Sequence, residues 1–167
     1  TVQPNRRGNA FESFFSRYKD VAYNPSAPSI KINVKPLPIA GKPAGFDGAV
    51  GNYKMEVNMD REETETGEPV TLRIKLAGDG NLKTIETPEL KFPADFDIYD
   101  PKIDSRISVK SGRIRGSKSF DFLLIPLNPG QFKLPNVNFS YFNPKDERYH
   151  ELKGPELTLR ATGDAQM

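Results

Sequence analysis

The chain has 167 residues with a formal net charge of +2, from 24 basic and 22 acidic side chains, and it contains no cysteine and no tryptophan. Charge so evenly matched offers no electrostatic footprint for nucleic acid. The lack of cysteine removes disulfides, thiolate metal sites and cysteine nucleophiles. Fifteen Pro and thirteen Gly, with eleven Phe and six Tyr for bulk, suit many short strands joined by turns, so the expected class is all-β.

Residues 1–43 read as the C-terminal part of a preceding β module with an aromatic insertion and a Gly/Pro linker. After the basic pair Arg6-Arg7, Asn9 and Glu12 have capping-box spacing, and Phe11, Phe14, Phe15 and Tyr18 fall on one helical face. That face suits a partner groove or, as is commoner for an apolar stripe, local packing. Asn24-Pro25-Ser26-Ala27-Pro28 is linker-like. Ile30, Ile32 and Val34 alternate with Lys31, Asn33 and Lys35, which predicts a half-buried strand that completes a sheet. The chain starts at Thr1 rather than Met, shows no signal peptide and has no apolar run long enough to span a bilayer, which points to a piece of a longer protein.

The stretch from Gly41 to Gly51 stands apart, with four glycines and one proline in eleven residues. Such a composition gives a shaped backbone rather than a regular strand or helix. It reads as a joint: Lys42-Pro43 leads in, Phe46 plugs an apolar gap, and Gly48-Ala49-Val50-Gly51 starts the next strand. The sharper alternative is a binding edge that a partner strand approaches closely. Gly41, Lys42, Pro43, Phe46, Gly48, Ala49, Val50 and Gly51, with the aromatics of residues 11–18, are therefore the interaction candidates.

Residues 44–162 predict an Ig-like antiparallel sandwich of about seven strands, followed by a tail over 163–167. Tyr53, Met55, Val57 and Met59 alternate with polar residues, and so do Val70, Leu72, Ile74 and Leu76 beyond a charged turn at 61–67. A turn at Gly78-Asp79-Gly80-Asn81 precedes a short strand over 82–87, and Pro93 and Pro101 bound an edge strand. Ile107 and Val109 form a hairpin arm that turns at Ser111-Gly112 and returns through Phe120, Phe122 and Leu124. Leu123 and Ile125 make the end of that return apolar on both faces, as in a central strand. Further strands follow around Leu134 to Tyr141, Tyr149 to Leu152 and Leu157 to Leu159, and Phe132 is placed to fill a corner by packing.

No catalytic, cofactor or metal-binding residue is assigned. His150 is the single histidine, expected exposed beside a turn, and with no cysteine it does not make a zinc site. A nucleophile elbow is absent. Asp79, Asp95, Asp97, Asp100 and Asp104 lie around turns, where aspartate forms the turn more often than it binds Ca²⁺. The basic run from Lys110 to Lys118 reads as a solvated hairpin whose charges protect an edge; an anionic surface, lipid headgroup or acidic partner is the alternative. Tyr18, Tyr23, Tyr99, Tyr141 and Tyr149 would serve a glycan- or peptidoglycan-binding sandwich, the second functional reading.

The sequence also resembles the BatD, or oxygen-tolerance (aerotolerance), family. The resemblance lies in Val34-Lys35-Pro36-Leu37-Pro38, Gly41-Lys42-Pro43, Phe46-Asp47-Gly48-Ala49-Val50-Gly51, Gly78-Asp79-Gly80-Asn81-Leu82 and Tyr99-Asp100-Pro101, and then in Gly116-Ser117-Lys118, Leu124-Ile125-Pro126, Pro129-Gly130 and Phe139-Ser140-Tyr141-Phe142. It implies tandem Ig-like modules in an exported protein anchored in the inner membrane and facing the periplasm. It implies no enzymatic activity and no cofactor, and it points to von Willebrand A-domain membrane proteins as partners. An exposed turn carboxylate would then supply the last ligand of a metal held by such a partner.

Overall fold

The computed structural model describes residues 24–164, and among them are ten strands, one 3₁₀ turn and no α-helix. The chain divides after Pro36 into two units, Thr1–Pro36 and Leu37–Met167. In the first, residues 24–36 are irregular and exposed, so the strand expected over Ile30 to Val34 is not formed. Ile30 and Val34 are 84% and 87% exposed, and an isolated strand has no neighbour to take its backbone hydrogen bonds. The helix expected around Phe11, Phe14, Phe15 and Tyr18 lies outside the described residues.

The second unit is built on β3 (Val70–Gly80) and β6 (Arg113–Pro126). The period of two along β3 puts Val70, Leu72, Ile74 and Leu76 inward, all fully buried, and Arg73 and Lys75 outward. β6 runs antiparallel beside it, from Leu124 opposite Val70 to Arg115 opposite Asp79, and buries Phe120, Phe122 and Leu124 on the same side. β1 (Gly51–Met59) covers the other edge of β3. β4 (Phe96–Ile98) and β5 (Lys102–Lys110) take successive lengths of the free edge of β6, which completes a five-stranded sheet.

The facing layer comprises β2 (Glu63–Glu65), β10 (Thr158–Thr162) and β7 (Gly130–Lys133) in one sheet, and β8 (Asn138–Asn143) with β9 (Arg148–Lys153) in another. Leu134, Val137, Tyr141 and Leu159 from this layer join Leu72, Ile74 and Phe120 in one apolar core. This is the sandwich that the alternation predicts, all-β and antiparallel with one exception. That exception is β2. The charged turn expected over 61–67 contains a short strand running parallel to β10, with Thr64 facing inward between two exposed glutamates.

Two further expectations differ. The strand predicted over 82–87 is instead a 3₁₀ turn, Leu82–Thr84, followed by extended chain. Leu82 and Ile85 are buried there as plugs, so their apolar character reflects packing and not ladder pairing. The outward Leu123 of β6 is 37% exposed, because no layer covers the outer face of the five-stranded sheet.

The Thr64 hydroxyl is buried and finds no hydrogen-bond partner among the described residues. Thr64→Val should therefore leave stability unchanged or raise it by about 1 kcal/mol, since a buried unpaired hydroxyl costs free energy. Phe120→Ala should lower it by about 3–5 kcal/mol. Urea denaturation reads both, and a clear loss of stability in Thr64→Val would show that this hydroxyl is satisfied.

Candidate functional site

The Gly-rich stretch folds onto the sandwich through the side chain of Asn81, which leaves β3 just past its C-terminal end. The Val50 amide donates to Asn81 Oδ1 at 2.7 Å, and Asn81 Nδ2 donates to the Gly48 carbonyl at 2.9 Å. The Asn81 backbone N–H donates to the Val50 carbonyl at 3.1 Å. Tyr53, from β1, brings its hydroxyl to 3.0 Å from both the Val50 carbonyl and Asn81 Oδ1. One amide side chain and one phenol thus occupy the polar groups of a backbone that joins no regular sheet, as buried peptide groups require.

The other flank of the stretch is tied to β8 and β9. Phe142 donates its N–H to the Ala49 carbonyl at 2.8 Å, and Ser140 Oγ reaches the Gly45 carbonyl at 3.2 Å. Phe46 meets the Tyr149 ring edge-on at 5.0 Å, and Phe142 packs on Tyr149 at 5.1 Å. The Tyr149 hydroxyl donates to the Pro38 carbonyl at 2.7 Å, and Lys42 Nζ lies 5.5 Å from the centre of the Phe46 ring. Gly41 lies in a turn closed by Lys42 N–H to the Ile39 carbonyl, and the Phe46 N–H donates to the Pro43 carbonyl. Ala49 is buried, and Gly51 begins β1.

Behind this stretch lies a cleft of about 600 Å³, within the range of ligand and peptide-anchor pockets. Met55, Ile74, Leu76, Ile85, Val137 and Phe139 supply its apolar wall, and exposed Asp47, Glu86 and Glu89 supply carboxylates around it. Of the interaction candidates, Phe46 and Ala49 line the cleft, Gly48 and Val50 are bonded to Asn81, Gly51 begins β1, and Gly41, Lys42 and Pro43 do not line the cleft. Phe11, Phe14, Phe15 and Tyr18 lie outside the described residues. Sequence reasoning missed Asn81, Tyr53 and Tyr149 as the residues that fix the stretch; the available signal was Gly78-Asp79-Gly80-Asn81. That segment is not the expected turn but the paired end of β3 followed by Asn81, the small glycines letting the neighbouring strands approach.

The other candidates are placed elsewhere. His150 lies on β9 just past the turn at 144–147, its side chain 38% exposed, with its ring stacked 5.2 Å from Tyr141 and Nε2 2.8 Å from Asp146 Oδ2. Asp146 is partly desolvated, yet the His150 hydrogen bond and the Arg148 backbone N–H hold its carboxyl below the usual range. Of the five tyrosines, Tyr141 is buried, Tyr149 is engaged with Phe46 and Tyr99 is exposed on its own, while Tyr18 and Tyr23 lie outside the described residues. Among the described residues, no group of three or more His, Cys, Asp or Glu side chains is placed to hold a metal ion. Among them too, no helix is long and apolar enough to cross a membrane.

The glycines of this site separate two kinds of cost. Gly48 has φ +80° with open space around it, so Gly48→Ala should cost about 1 kcal/mol from backbone conformation alone. A Cβ on Gly80 would collide with the Val50 carbonyl and the Tyr53 hydroxyl, so Gly80→Ala should cost several times more and lower Tm accordingly. Equal shifts in Tm would contradict the clamp. Burial pushes the Tyr53 phenol from 10.0 up to about 12, with a further push from Asp79 and opposition from its hydrogen bond at Asn81. The unfolded chain therefore releases this proton first, and stability, full below pH 10.0, falls as pH rises toward about 12. Tyr53→Phe should flatten that part of the pH profile; an unaltered slope would sink the assignment.

No curated protein and no solved structure matches the chain. A family model described as BatD DUF11 like domain matches residues 57–160, from within β1 to within β10. That match covers more than half of the sequence and all of the central β3–β6 pair, and the chain belongs to the BatD family.

Proposed function

We propose that this BatD domain is a non-catalytic interaction module of a membrane-anchored, aerotolerance-associated protein, working on the periplasmic side of the inner membrane. The observation that carries this reading is the cleft behind the Gly-rich stretch. It combines an apolar wall with a carboxylate rim on a frame fixed by hydrogen bonds, which suits an apolar side chain of a partner protein flanked by cations. Its partners are von Willebrand A-domain membrane proteins, the class the family resemblance implies, and an exposed rim carboxylate would supply the last ligand of a metal held by such a partner. The stretch itself serves as the joint between residues 1–43 and the sandwich, with the Asn81 clamp setting the angle at which the chain enters β1.

Immobilised ectodomains of von Willebrand A-domain partners should retain the chain with a Kd on the order of tens of micromolar or tighter. Glu86→Lys with Glu89→Lys should abolish retention while leaving Tm within a few degrees, since both side chains are exposed. Failure of the unaltered chain to bind at those concentrations would count against the reading.

A further inference from the structure

We propose that the outer face of the five-stranded sheet is a second docking surface, one that takes an acidic polypeptide segment. It lies opposite the cleft: along β3, Ile74 and Leu76 line the cleft, while the intervening Arg73 and Lys75 line a separate groove of about 520 Å³. The floor of that groove is β6, with Ser117 and Ser119, and its far wall is β5, with Lys102 and Arg106. Register fixes this arrangement. Lys75 is opposite Ser119, which is opposite Asp104; one row away Arg73, Asp121 and Lys102 align; on the other side Ser117 faces Arg106.

The cations on this face are not all neutralised from within. Arg73 makes paired hydrogen bonds to Asp121, Nε–Oδ1 at 2.7 Å and Nη2–Oδ2 at 2.6 Å. Those bonds hold the Asp121 carboxyl below its usual range, so Arg73 keeps its partner down to acid pH. Arg106 is 3.3 Å from Asp104, and Arg115 is 4.0 Å from Asp79. Lys75 and Lys102 form no ion pair among the described residues, and the Ser117 and Ser119 hydroxyls have no hydrogen-bond partner there. Two ammonium groups without a close ion pair, Lys75 across from Glu56 of β1 and Lys102 beside Asp121, and two free hydroxyls thus converge on one groove, all of them able to donate to carboxylates.

The occupant follows from charge complementarity and shape. Register places eight basic side chains of β1, β3, β5 and β6 on this face against five carboxylates, Glu56, Asp79, Asp97, Asp104 and Asp121, with Glu56 directly opposite Lys75. The surface is therefore cationic although the whole chain carries only +2. A membrane surface would be served by an unbroken positive plane. Here the free cations sit at discrete positions around a bounded groove, interleaved with carboxylates that penalise a misplaced anion. That pattern fits a polypeptide whose acidic side chains fall at set intervals.

The test uses the full 167-residue chain and a labelled poly-glutamate peptide of about ten residues, with binding read by fluorescence anisotropy at low and near-physiological salt. Binding should be measurable at low salt and weaken with added salt. Lys75→Glu with Lys102→Glu should reduce affinity about tenfold or more, whereas Lys145→Glu with Lys153→Glu, an equal charge change on β9 and its turn, should alter it less than about twofold. Lys75→Gln with Lys102→Gln replaces the reversal if that pair lowers Tm. Absence of peptide binding, or equal losses in both pairs, overturns the proposal. So does equally tight, equally Lys75- and Lys102-dependent binding to vesicles with about 30% phosphatidylglycerol, which would assign the face to lipid. Because Lys75 and Lys102 do not line the cleft, failure here leaves the partner-binding reading of the cleft standing.

Discussion

Entry into the sandwich depends on how the backbone of residues 48–50 is satisfied. This segment passes between the end of β3 and the C-terminal end of β8 without a full ladder on either side, so each buried N–H and C=O needs a specific partner. Asn81 is suited to that task because its amide offers an acceptor to Val50 N–H and a donor to the Gly48 carbonyl at once. An aspartate in its place accepts but cannot donate, and so supplies only one half of the pair. The parallel bridge between Val50 and Phe142 then links the two layers at the same point, so the clamp organises the edge of the core as well as the chain entry.

The β3 strand connects the two proposed surfaces without merging them. Its inward residues feed the core and the cleft wall, and its outward residues feed the cationic groove. β3 is itself held on both edges, by β1 and β6. A strand paired on both sides and packed on one face is among the least mobile parts of a sandwich, which makes it a suitable base for positioning side chains on either side.

Much of this was legible in the sequence because the alternation in β1, β3 and the later part of β6 is undiluted. Tyr53 to Met59 and Val70 to Leu76 state their inward face directly, and both strands formed as read. Two kinds of signal misled. Ile30, Ile32 and Val34 have the same period, yet periodicity specifies only which face a strand would bury, not whether a neighbour is there to pair with it. Glu63-Thr64-Glu65 looked like a charged turn because a three-residue strand has too little length for a pattern; its place was set by Arg160 to Thr162, nearly a hundred residues away.

The functional surfaces were less legible than the fold for a related reason: each is assembled across strands. The basic run from Lys110 to Lys118 is visible as a run, but Lys118 turns inward, toward the Ile85 carbonyl and the Phe120 ring. Half of the cationic groove comes from Arg73 and Lys75, about forty residues earlier, and only the β3–β6 register brings them beside Ser117 and Ser119. Linear charge counting averages over both faces of every strand and so finds a balanced chain. Once the register assigns each residue to a face, the same charges separate. Cations gather on the open side of the five-stranded sheet, while Glu62, Glu63, Glu65 and Glu68 cluster around β2 in the opposite layer. A near-neutral sequence thereby gathers a cationic patch on one face of the sheet, and a patch of that kind orients an approaching partner before any short-range contact is made.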